Sequence, residues 1–177
     1  MPTDSVDRMV EAWAERDPGL DTSPLEVVAR LRLCTAHLER AIVVALRPLG
    51  LGLGDFDVLN TVRRRGDEAG TKPTDLARSA LITSGGMTSR LDRLERAGLI
   101  ERRADPEDRR GVLVRLTERG ERVAAESLHA VLAADEAFVE PLSRSQRDSV
   151  AAALKRLLLR SEAAEAQPEG PRRVPFG

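Results

Sequence analysis

Tyrosine is absent from this chain of 177 residues, and tryptophan occurs once. The aromatic inventory is Trp13, Phe56, Phe138 and Phe176, too small for an extended platform on which single-stranded nucleic acid stacks. Leucine, valine and alanine must therefore fill the core. The single cysteine, Cys34, excludes an intramolecular disulfide and any cysteine-based zinc cage. Two histidines, His37 and His129, stand apart without ligand spacing, so no metal site is expected. No apolar run approaches the roughly 20 residues of a membrane span, and the polar start MPTDSVDR does not read as a signal peptide. A cytoplasmic protein with no membrane partner is expected. There is no nucleophile–His–acid set and no phosphate loop, so neither an enzyme nor a cofactor is expected. Lysine is scarce too, with only Lys72 and Lys155 among 28 basic residues.

Taken as a total, the formal net charge of −1 argues against nucleic acid, but the charge is unevenly placed. Residues 63–119 hold 14 basic and 10 acidic side chains, and the remainder holds 14 and 19. A basic middle between acidic flanks can carry an electrostatic footprint for a phosphate backbone that the total conceals.

The pattern along the chain is mainly helical. Ser5 to Glu15 reads as a short helix stopped by Asp17-Pro18-Gly19. Ser23-Pro24 opens a long amphipathic helix with Leu25, Val28, Leu31, Leu38, Ile42 and Leu46 at helical spacing, ending at Pro48. Asp55 is placed as the N-cap of a helix carrying Phe56, Leu59 and Val62 to Gly66. Pro73 to about Ala80 and Met87 to Ala97 form two short helices joined by a brief turn, a helix-turn-helix. Strands are expected at Leu99–Arg103 and Val112–Leu116 around a charged turn, Ala104–Gly111, making a wing. Thr117 caps a helix from Glu118 to about Val139, Pro141 interrupts, and Ser143 caps the last helix. The Pro/Gly-rich tail from Gln167 reads as disordered. The fold class is a winged helix-turn-helix, mainly α with one β-hairpin. Its expected parts are an N-terminal helix and linker (1–22), a dimerisation helix (23–54), a DNA-binding lobe (55–117), C-terminal dimerisation helices (118–165) and a flexible tail (166–177).

The run FDVLNTVRRRG, followed by PTDLARSALITSGGMTSRLDRLERAGLIERRADPEDRRGVLVRLTERG, resembles the MarR family of bacterial transcription regulators. The most specific part is Asp108-Arg109-Arg110 ahead of Leu116-Thr117 inside a wing. The N-terminal segment with Trp13 and the following DPGLDTSPLEVVARL are similar to the PecS-like, urate-responsive subgroup. That resemblance implies a homodimeric repressor on a pseudo-palindromic double-stranded DNA operator, released by a small anionic effector. It also implies an effector cluster of Trp13, Asp57, Arg90 and Arg102. Taken alone, Trp13 reads more readily as packing than as a lid on a ligand. Urate or a related purine suits two arginines and a tryptophan; a tricarboxylate or a phenolic acid stays open. So does oxidant sensing through Cys34, although Leu33-Cys34-Thr35 in a long helix reads better as a packed small hydrophobe.

A DNA reader needs donors at base edges and cations at phosphates. Ser84, Gly85, Thr88, Ser89 and Arg93 lie on or near the outer face of the second short helix, and no acidic residue stands three or four positions from Arg93. Arg109 and Arg110 suit a narrow minor groove, with Asp105 and Asp108 orienting them. Arg90 falls near the apolar face, where a partly buried arginine needs a partner, and Asp57 is the expected one. The reading outside DNA is a winged-helix protein-interaction module, which steep salt dependence on duplex DNA would rule out. Arg110→Ala is expected to weaken duplex binding while leaving the dimer intact; unchanged affinity at physiological salt would refute the assignment of the wing.

Overall fold

The computed structural model describes residues 2–79 and 86–166. In chain order its elements are α1 (Ser5–Arg16), α2 (Ser23–Leu46), a 3-10 turn (Arg47–Leu49), α3 (Leu53–Arg65), α4 (Pro73–Ser79), α5 (Met87–Arg96), β1 (Ile100–Asp105), β2 (Asp108–Leu116), α6 (Glu118–Val139) and α7 (Arg144–Ala166). This is the winged helix-turn-helix between long helices that the sequence predicts. The chain divides into two compact units, 1–135 and 136–177. The expected tail, from residue 167, lies outside the described residues.

Local chemistry explains where the helices begin. Asp4 Oδ1 accepts the N–H groups of Val6 (2.7 Å) and Asp7 (2.9 Å), while Asp7 Oδ2 accepts the Asp4 N–H (2.8 Å). This reciprocal box satisfies donors that a helix start leaves open. Helix α3 starts at Leu53, earlier than the sequence suggests, because Asp55 is not its N-cap. The Asp55 carboxylate reaches backwards instead, and Oδ2 accepts the Gly52 N–H at 3.0 Å. In the second unit, Ser143 and Gln146 cap α7 reciprocally, with the Ser143 N–H on Gln146 Oε1 at 2.8 Å and the Gln146 N–H on Ser143 Oγ at 3.3 Å.

The core of the first unit lies under the helix-turn-helix. Val58, Leu59 and Val62 of α3, Leu76 of α4, Leu91 and Leu94 of α5, Ile100, Val114 and Val131 pack together. Helix α2 contributes its C-terminal half, with Ile42 and Leu46 buried and Leu38 packed against the core; upstream, Leu25, Val27, Val28, Leu31 and Leu33 are exposed. Its sequence stripe is therefore continuous, but its burial within one chain is not. Helix α7 likewise exposes Val150, Leu154, Leu157, Leu158 and Leu159.

The wing is longer and its turn tighter than the sequence suggests. Only Pro106 and Glu107 separate β1 from β2. Ile100 faces Leu116 and Ala104 faces Val112, then the register jumps to Asp105 opposite Asp108, so residues 109–111 form a bulge. The charged residues that read as a turn are strand residues on a two-stranded edge. A Cβ at Gly111 would lie 2.8 Å from the Asp105 Cβ, which is why glycine stands in the bulge. Thr71 adds a short third rung, exchanging two 2.9 Å backbone hydrogen bonds with Val114.

The passage from wing to α6 is tightly packed. The Thr117 N–H donates to the Leu99 carbonyl (3.1 Å), Thr117 Oγ1 donates to the Gly98 carbonyl (2.7 Å), and Oγ1 accepts the Gly120 N–H (2.9 Å). This brings α6 so close to Leu99 that a Cβ at Gly120 would fall 1.8 Å from the Leu99 oxygen. Gly120→Ala is therefore expected to destabilise the fold by about 3 kcal/mol or more, at or beyond the usual cost of overpacking, measured by urea denaturation. A midpoint within error of the parent would show that the contact relaxes freely.

Candidate nucleic-acid interface and effector site

Helix α5 buries Met87, Leu91 and Leu94 and turns Thr88, Ser89, Arg93 and Arg96 to solvent. Its N-cap, Gly86, has φ +83°, a left-handed conformation that glycine adopts without strain, and Ser89 Oγ donates to the Gly86 carbonyl at 2.9 Å. Ser84 and Gly85 lie outside the described residues. Arg93 has a partner that local spacing could not reveal. Its Nε donates to Asp55 Oδ1 of α3 at 3.1 Å, and Nη2 bonds the same oxygen. Asp55 is 3% exposed. The Arg93 side chain remains 55% exposed, so the guanidinium is anchored and still presented at the surface.

The other flank of α5 is held by the wing. Arg102 of β1 donates from Nη2 to Asp92 Oδ1 at 2.6 Å and from Nη1 to Glu95 Oε2 at 3.1 Å. Further out, Asp105 is buried: Oδ1 accepts the Glu107 N–H at 2.9 Å and Oδ2 lies 3.0 Å from Lys72 Nζ. The Glu107 N–H and then Lys72 hold its carboxyl below the usual carboxylate range. These contacts of Asp105 close the turn and tie it to the residue before α4. Asp108 stands opposite Asp105 in the register. The side chains of Arg109 and Arg110 lie outside the described part of the chain.

The four effector residues are placed differently from one another. Trp13 sits on α1 and is 43% exposed. Helix α1 is fastened to α2 by Arg30, whose Nε meets Asp4 Oδ2 at 2.9 Å and whose Nη2 meets Asp7 Oδ1 at 2.5 Å. Asp57 is buried on α3 and lines a cavity of about 390 Å³ with Asn60, Thr61, Arg63, Arg64, Glu121 and Leu128. Its Oδ2 accepts no hydrogen bond from Arg90 or any other described residue, so the expected clamp is not formed on that oxygen. Arg90 is partly buried on α5, and Arg102 is engaged by Asp92 and Glu95. The cavity thus joins Asp57 to polar residues of α3 and α6, and its lining does not include Trp13, Arg90 or Arg102.

Across that cavity Arg63 Nε meets Glu121 Oε1 at 2.6 Å, and Asn60 Nδ2 donates to the buried Ser127 Oγ at 3.1 Å. Sequence reasoning misses Asp55, Arg30, Asn60 and Glu121 because each meets its partner across more than 20 residues. Cys34 is exposed, not packed as expected. His37 Nδ1 lies 3.0 Å from Arg40 Nη2. No cluster of three or more metal-ligating side chains occurs among the described residues, and none of their helices is long and apolar enough to cross a membrane.

A family profile described as the MarR family matches residues 49–111, from the end of the 3-10 turn to the wing bulge. The HTH-type transcriptional regulator PecS of Dickeya dadantii is 30% identical over 152 residues, spanning 86% of this chain and 92% of that protein. Among solved structures, a mutant MarR from E. coli complexed with operator DNA superposes with TM-score 0.65 at 26% identity, covering 82% of this chain and 97% of that one. The Mycobacterium tuberculosis MarR family protein Rv2887 in complex with salicylic acid gives TM-score 0.55 at 31% identity over 72% of this chain and 92% of its own.

Trp13 reports on how α1 is held. Arg30, chiefly by hydrogen bonding, and the Asp7 N–H lower the Asp4 pKa from 3.8 to about 2. A carboxyl with a depressed folded pKa stabilises its contacts above the unfolded value and loses that contribution as pH falls. The emission of Trp13 is accordingly expected to stay constant down to about pH 4 and to change with a midpoint near the folded-state pKa of about 2. Arg30→Ala should raise that midpoint towards 3.8. A midpoint insensitive to Arg30 would show that α1 is held by other contacts.

Proposed function

The chain belongs to the MarR family of transcription regulators, on its PecS-like side, and from that premise we propose a homodimeric DNA-binding repressor released by a small anionic metabolite. One observation supports this most: the outer face of α5 presents Thr88, Ser89 and Arg93 beside the wing, with Arg93 held in place by Asp55. Hydroxyls and a guanidinium on a helix narrow enough for the major groove are the groups that read base edges and grip phosphates. The two dimerisation surfaces are the exposed apolar faces of α2 and α7, too extended to face water in a stable monomer. Two copies related by a two-fold axis place their recognition helices about one DNA turn apart on a pseudo-palindrome. The wing, through Arg109 and Arg110, takes the adjoining minor groove.

The effector reading favours urate or a related purine. Asp57 supports it: a buried carboxylate oxygen without a donor suits a ligand that brings an N–H, which a purine has and a simple carboxylic acid lacks. Trp13 and the arginines Arg90 and Arg102 supply stacking and charge once the ligand draws them in. An aromatic acid is the second reading, favoured by the relative solved with salicylic acid. The repressor acts on duplex DNA in the cytoplasm.

The test begins with a randomised duplex pool selected on the full chain. A palindromic winner with a steep negative salt slope is expected, about −0.9 per phosphate neutralised. Urate should then quench Trp13 and lower affinity for that duplex, and Asp57→Asn should blunt both effects. If saturating urate leaves both untouched while salicylate acts, the purine assignment fails and the aromatic acid takes its place. No selection from the pool would overturn the repressor itself.

A further inference from the structure

Arg93 is held in a way that commits one edge of its guanidinium and leaves another open. Nε and Nη2, which share one edge of the planar group, both donate to Asp55 Oδ1. Nη1 has no partner among the described residues. Asp55 is itself fixed, because its other oxygen accepts the Gly52 N–H at 3.0 Å and the residue is buried. The edge that remains is the Nη1–Nη2 end. It belongs to a side chain that is half in water, one turn after Ser89 on the outer face of α5.

We infer that Asp55 and Arg93 form a buttressed pair that reads one guanine in each half-site of a DNA duplex. Because it needs DNA against α5, this pairing rests on the repressor reading above. Two parallel N–H donors at the guanidinium end match the O6 and N7 acceptors that guanine turns to the major groove. Adenine sets a donor beside its N7, cytosine shows a donor and thymine a single acceptor, so none of these accepts both. A phosphate is the alternative occupant, and charge disfavours it. The guanidinium is already matched by a carboxylate, so the couple carries no net charge and pulls weakly on a phosphate oxygen. Hydrogen bonding to a neutral base loses much less by that pairing. Holding the rotamer beforehand also removes much of the entropy that a loose arginine gives up on contact. Asp55 is the positioning residue, and Arg93 makes the contact.

The experiment uses the full chain and the duplex selected above, with affinity read by fluorescence anisotropy over a series of salt concentrations. Each base pair of a half-site is exchanged in turn, together with its symmetry mate. The parent protein is expected to lose about tenfold in affinity when one G·C pair is exchanged, and to lose affinity again when that dG becomes 7-deaza-dG, which lacks the N7 acceptor. Arg93→Ala should bind the native and 7-deaza duplexes equally, so that the two losses do not add. Where Arg93→Ala fails to fold, adding Asp55→Asn removes the unpaired buried charge and allows the same comparison. Asp55→Asn alone should weaken the preference for dG and steepen the salt slope, by up to about 0.9 for each half-site, since Arg93 is then an unmatched cation. Mere loosening of α5 would not steepen it. If Arg93→Ala weakens every duplex alike and flattens the slope by about 0.9 for each half-site, the contact is to phosphate and the guanine assignment is overturned. Full retention of the dG preference in Asp55→Asn overturns the buttress. A selected duplex indifferent to 7-deaza-dG at every position overturns the pairing alone, whereas a pool that selects nothing overturns it together with the repressor.

Discussion

The DNA-facing lobe depends on one buried carboxylate. Asp55 is nearly sealed from water, and a charge so placed is costly unless its oxygens are met. One oxygen takes the Gly52 N–H and so fixes where α3 begins; the other takes Arg93 and so fixes where α5 lies. The start of one helix and the orientation of the next are thus settled by the same side chain. Removing Arg93 would leave Asp55 uncompensated, a loss of about 3–5 kcal/mol when both partners are buried and less here because Arg93 is half in water. Arg93 is consequently both a structural residue and a surface cation. Its two roles are compatible because the carboxylate lies behind the guanidinium and leaves part of it open.

Around this anchor the chain leaves its longest apolar faces uncovered. The last turns of α2 reach the core through Ile42 and Leu46, but the earlier turns expose leucine and valine, and α7 exposes apolar side chains along much of its length. Covering such faces is worth roughly 25 cal/mol per Å² of apolar area removed from water. Folding and assembly are therefore coupled in this reading. The 3-10 turn is all that separates the end of α2 from the loop at Gly52, the residue that Asp55 holds.

Periodicity makes the architecture legible, and three-dimensional pairing limits what can be read of the sites. The stripe Met87–Leu91–Leu94, the cap at Thr117 and the cap at Ser143 are local signals, and the fold repeats them directly. The extent of the wing is harder to read, because a row of charged residues looks like a turn when its strand faces water on an edge. Arg93 shows the limit most clearly. Its neighbours at helical spacing are not acidic, which is true and insufficient, since its partner lies 38 residues away. Arg102 reverses the lesson. Resemblance singles it out as an arginine that matters, but its companions Asp92 and Glu95 draw no notice in the sequence because they face away from Arg93. They face the wing.

These pairings also change what the charge distribution means. The middle of the chain carries a surplus of cations, yet Arg93, Arg102 and Lys72 are each matched to carboxylates within the lobe. Charge committed to internal pairs contributes less to long-range attraction for a polyanion and more to the geometry of the elements that touch it. Such a lobe gains less affinity from non-specific contacts with phosphate and depends more on presenting α5 and the wing at the correct mutual angle. That arrangement suits a switch. When pose sets the affinity, a change in the few ion pairs that hold the pose alters binding without any change at the DNA-facing surface itself.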